Sequence, residues 1–81
     1  MYQITEILLY PFADDRNNVE ITFKGAADIQ VLVDDYTKPI RRGLSVDRIN
    51  KVDVRGDHAL IDLTIYSGWC PQLIVLIDKI R

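Results

Sequence analysis

Apolar and polar residues alternate one for one over much of this chain. Val19, Ile21 and Phe23 alternate with Glu20, Thr22 and Lys24. Beyond Gly25, Ile29, Val31 and Val33 alternate with Asp28, Gln30 and, less cleanly, Leu32. Strand side chains point to opposite faces with period two, so each run has one apolar face. The pattern predicts a β-hairpin over 19–33. Gly25 would supply the turn, and Val19, Ile21 and Phe23 would face the core.

The same rule organises the flanks. Gln3 to Tyr10 is rich in Ile and Leu, with Ile4, Leu8 and Tyr10 on one side of a strand. Pro11 opposes a helix there, because the residue before proline avoids the α region; a helical reading through Ile4, Ile7 and Leu8 stays open. Asp14-Asp15-Arg16-Asn17-Asn18 is a turn cluster, since Asn and Asp bond their own main chain. Asp34 to Leu44 is the longest irregular stretch, punctuated by Pro39 and Gly43. Ser45 to Asn50 is ambiguous, with Ser45 able to cap a single helical turn near 45–50.

A second hairpin follows. Val52 and Val54 point inward on Lys51 to Arg55, and Gly56-Asp57 makes the turn. Ala59, Ile61, Leu63 and Ile65 then form one apolar face. After a break over Ser67 to Pro71, Gln72 to Ile80 is apolar on both faces. Pro71 at a first helical position and Lys79 and Arg81 at a C-terminus would suit a helix. The Ile-Val-Leu-Ile content favours a strand, which would need cover on both sides. The sum is an all-β fold: about six short antiparallel strands joined by hairpins, curved into a small barrel or folded into a sandwich.

Eighty-one residues allow one domain, 1–81. With 48% hydrophobic and 27% charged residues the chain has a globular balance. A domain this small is only marginally stable alone. Its single cysteine, Cys70, makes no intrachain disulfide. With His58 it falls short of the four or so ligands a structural zinc site needs. No metal or cofactor is expected. Met1 to Phe12 lacks the basic leader of a signal peptide, and no apolar run reaches the length of a membrane span. The lone thiol suits a reducing cytoplasm. Net charge is −2 but uneven: residues 1–35 carry a net of −5 and residues 38–57 a net of +3. Such asymmetry concerns partners rather than fold.

Candidate chemistry is sparse. Asp14-Asp15 and Asp34-Asp35 are carboxylate pairs, but their spacing matches no calcium loop. They read as solvated turn residues. His58 shares a strand face with Asp62, the raw material of a general base, with Cys70 beyond. No nucleophile motif surrounds Cys70, and the chain is read as non-enzymatic. Arg55-Gly56-Asp57 looks like an integrin-recognition tripeptide, though a turn that needs Gly and Asp explains it as well. The basic stretch 38–55, led by Arg41 and Arg42 with Tyr36 nearby to stack on a base, is the candidate for nucleic acid. The acidic pI of about 5.1 opposes it. Trp69 and Tyr66, at or near a loop, either lid the core or anchor a protein partner.

The hairpin-to-hairpin layout resembles that of small bacterial or phage accessory proteins, including immunity proteins that block a toxin. The resemblance lies in size and layout, and no residue role comes from it. The functional expectation is a protein-interaction domain that self-associates, meeting a protein partner through Trp69, Tyr66, Arg41, Arg42 and Tyr36. A nucleic-acid-binding module using 38–55 is the alternative.

Overall fold

The computed structural model describes residues 1–11, 17–37, 40, 41, 44–65 and 71–80. Its elements are β1 (Tyr2–Leu9), β2 (Asn18–Lys24), α1 (Ile29–Thr37), β3 (Ile40–Arg41), β4 (Leu44–Arg55), β5 (His58–Ile65) and β6 (Gln72–Lys79). The six strands form one sheet in the order β2-β1-β6-β5-β4-β3, and every neighbouring pair is antiparallel. Two-residue periodicity thus reports the mostly antiparallel sheet, though not every one of its elements. The sheet is open and not closed into a barrel, because β2 and β3 lie at opposite ends of the order.

The last strand, β6, sits between β1 and β5. Leu73, Val75 and Ile77 meet Leu8, Ile4, Leu63, Ile61 and Ala59 across the two ladders. These side chains share the face that carries α1. Ile61, Leu63, Val75 and Ile77 are completely buried there. Each such residue stabilises the fold by about 1.5–3 kcal/mol relative to an exposed position.

The alternation over 28–33 predicts a strand, and this is where the chain departs from the pattern: Ile29–Thr37 is a helix. Ile29, Leu32, Val33 and Tyr36 are its buried residues, at the i, i+3, i+4, i+7 spacing of one helical face. Asp28 is its N-cap. The carboxylate Oδ1 accepts from the backbone N of Gln30 (2.9 Å) and Val31 (3.3 Å). Those two N–H groups have no partner within the helix, which is why a cap fixes the start. On the outer face the Gln30 amide donates to Asp34 at 2.7 Å. Lys24 at the end of β2 reaches Asp35 at 3.6 Å.

Two further expectations are corrected. The single helical turn near 45–50 is instead part of β4, a 12-residue strand. Register shifts between Val46 and Arg48 and between Ile49 and Lys51 mark β-bulges, which break its periodicity. Val19, Ile21 and Phe23 do not face the core. They are 60%, 53% and 61% exposed. The β1–β2 register explains this: the core-facing Tyr2, Ile4 and Leu8 stand opposite Lys24, Thr22 and Asn18. The apolar side of β2 therefore emerges on the far face of the sheet. The second hairpin forms as expected. Gly56 carries its turn at φ 58°, where a side chain would be strained. Of the turn cluster read between β1 and β2, Asp14 to Arg16 lie outside the described residues; Asn17 Oδ1 accepts from the backbone N of Tyr10 at 2.8 Å.

Candidate interaction surface

The face away from α1 is uncovered by any described element. The ladders align its side chains in rows. One row runs Val19, Ile7, Ile74, Asp62, Lys51. The next runs Ile21, Thr5, Leu76, Leu60, Asp53, and the third Phe23, Gln3, Asp78, His58, Arg55. All three rows begin apolar at the β2 edge and end charged at β4. Ile7, Ile74, Leu76 and Leu60 are half-buried by their neighbours in the sheet. Val19, Ile21 and Phe23, at the edge, stand clear. An exposed apolar patch rimmed by polar groups is the kind of surface on which protein, membrane or ligand contacts form.

The charged end is internally matched. Lys51 lies across from Asp62 in the ladder. Arg55 Nε donates to Asp53 at 3.2 Å. His58 Nδ1 is 2.5 Å from Asp78 Oδ1, across the β5–β6 register. Together Asp53, Arg55, His58, Leu60, Leu76 and Asp78 line an open hollow of about 350 Å³.

His58 and Asp62 share a face, as alternation requires, but they are not partners. Four residues of strand separate them by about 13 Å. Asp62 accepts instead from the Gln72 amide, at 2.9 and 3.0 Å, and from Asn50 at 3.2 Å. Asn50 also donates to Thr64 at 2.9 Å. This network pins the bulge of β4 to β5 and β6. Among the described residues no serine, threonine or cysteine lines the hollow, and no three His, Cys, Asp or Glu side chains group to hold a metal ion.

The expected partner-binding residues fare unevenly. Tyr36 is 4% exposed. It is the last buried position of the α1 stripe, so its ring packs in the core rather than standing free to stack on a base. Arg41 lies on β3, paired with Leu44. Trp69, Tyr66 and Arg42 lie outside the described residues, as do Cys70, Asp14 and Asp15. Asp34 and Asp35 belong to α1 and not to a turn. Arg55-Gly56-Asp57 spans the end of β4 and the following turn, with the Arg55 guanidinium held by Asp53. Among the described residues no helix is long and apolar enough to cross a membrane. Sequence reasoning missed the β2 edge as a surface. Its apolar residues were visible, but the face they occupy depends on their register with β1.

No protein-family model, curated protein or solved structure matches this chain.

Proposed function

We propose that the chain is a small non-enzymatic protein-interaction domain that self-associates, a second copy meeting it along the β2 side of the sheet. The observation that carries this reading is the exposure of Val19, Ile21 and Phe23, all more than half open to water. Three large apolar side chains in one line at a sheet edge are an aggregation hazard unless something meets them. A domain of this size gains stability from association that its modest core cannot supply. The nucleic-acid alternative lacks comparable support. Arg55 and Lys51 are each set beside a carboxylate, and Tyr36 is inside.

Sedimentation velocity over a wide concentration range tests the proposal. The native chain is expected to show a mass that rises with concentration, and Ile21→Lys to lower that association. A chain that stays monomeric at millimolar concentration would refute the reading.

A further inference from the structure

Resting on that reading, we infer that two copies join edge to edge through antiparallel pairing of β2 with its symmetry mate, with Thr22 on the two-fold axis. The two six-stranded sheets then become one continuous sheet.

The two edges of the sheet differ in how they are guarded. Native proteins blunt an open edge with bulges, charges or very short strands. β4 carries two bulges, and at one end it is capped by the two-residue β3. β2 pairs with β1 over seven consecutive positions without a shift. No bulge and no proline interrupts its outer side. The core unites α1 with residues of β1, β5 and β6 and none of β2, and the helix meets this strand at Lys24, which reaches Asp35 at 3.6 Å.

The sequence of β2 is complementary to itself. Reversed about Thr22, Glu20-Ile21-Thr22-Phe23-Lys24 places Glu20 opposite the partner's Lys24, Ile21 opposite the partner's Phe23, and Thr22 opposite the partner's Thr22. By symmetry the first two pairs occur twice. Opposite charges, an aromatic with a β-branched residue, and Thr with Thr are the favourable cross-strand pairs. Centring on Ile21 instead sets Glu20 against Thr22 and Lys24 against Asn18, and both charge pairs are lost.

The fold itself supplies a reason for a cation at this place. Glu20 stands opposite Glu6 in the β1–β2 ladder. Neither makes an ion pair among the described residues. Like charges set directly across a ladder repel. In the inferred register the row beginning Glu6, Glu20 continues into the partner's Lys24, Tyr2 and Lys79. The partner's Lys24, which also reaches its own Asp35 at 3.6 Å, then brings a cation to the row of the two carboxylates.

Charge-swap mixing tests the register. Glu20→Lys alone sets lysine against lysine across the axis, and Lys24→Glu alone sets glutamate against glutamate. Each is expected to weaken self-association on the order of tenfold. An equimolar mixture of the two variants pairs every lysine with a glutamate, and it is expected to associate as tightly as the native chain. Glu20→Lys also removes the repulsion from Glu6, so its monomer is expected to melt no lower than the native chain. Lys24→Glu loses the ion pair to Asp35, so its monomer melt is measured beside it, and Glu20→Lys is the variant whose loss of association cannot be laid to misfolding. If the native chain associates while the variants and their mixture behave like it, the β2 register is wrong and the interaction reading stands. If the mixture associates no better than either variant alone, the register is equally refuted. A native chain that never associates removes both.

Discussion

Glu6 and Glu20 stand opposite each other across the β1–β2 ladder, on the face of the sheet that carries the helix. Glu6 is half-buried and Glu20 exposed. The pair costs the isolated fold free energy. Glu20→Gln is therefore expected to stabilise dilute protein by about 0.2–1 kcal/mol and so to raise its urea midpoint. The gain is expected to shrink in 1 M salt, where the Debye length falls to about 3 Å. Urea titrations at two ionic strengths check both parts. An unchanged midpoint at low salt would show that the two carboxylates avoid each other.

Burial separates two apolar positions that the sequence treats alike. Ile61 is completely buried and Phe23 is 61% exposed. Ile61→Ala is expected to destabilise the fold by about 2–5 kcal/mol, from lost transfer energy and the cavity left behind. That is a large part of the roughly 4–12 kcal/mol expected for a chain of this length. Phe23→Ala is expected to cost under about 1 kcal/mol in dilute solution, while weakening self-association. Chemical denaturation and sedimentation on the same two variants separate the effects.

Much of the sheet was legible in the sequence because strand alternation is local. β5 was read correctly down to its buried face, since Ala59, Ile61, Leu63 and Ile65 all face the helix. β6 is apolar on both sides because it is interior to the sheet: one face meets the core and the other carries Ile74 and Leu76. The face of β2 was not legible. Either side of that strand could turn to the core, and pairing with β1 decides which. Val52 and Val54 do lie on the helix side but remain 42% and 38% exposed, because one nine-residue helix is too small to cover β4 as well. The candidate surface was correspondingly hidden, since its members come from β1, β2, β5 and β6 and meet only through register.

The helix was misread because Ile29, Val31 and Val33 satisfy a strand while Ile29, Leu32, Val33 and Tyr36 satisfy a helix. Asp28 was the signal that distinguishes them. Asp28→Ala is expected to cost about 0.5–2 kcal/mol through loss of the cap. Val31 is 48% exposed on the outer side of α1. Val31→Ala is expected to stabilise the fold by about half a kcal/mol, because alanine is the better helix former. In a strand the same change would destabilise. Thermal unfolding of the two variants is thus expected to move in opposite directions.

Asp62 and His58 share a strand face yet do different work, and their variants are expected to diverge. Asp62 holds the Gln72 and Asn50 amides, and Asn50 belongs to the bulged part of β4. Asp62→Ala strands those donors and is expected to destabilise by about 1–3 kcal/mol, toward the lower end because water reaches this half-buried site. His58 meets Asp78 at a surface where its side chain is 71% exposed. Exposed ion pairs contribute about 0–1 kcal/mol, so His58→Ala is expected to leave the midpoint nearly unmoved. Because the two sites lie about 13 Å apart and share no partner among the described residues, the double variant is expected to be additive within about 0.5 kcal/mol. A double-mutant cycle by urea denaturation measures this. A coupling well above that figure would mean that His58 and Asp62 act as one unit, which is the arrangement a general-base pair would require.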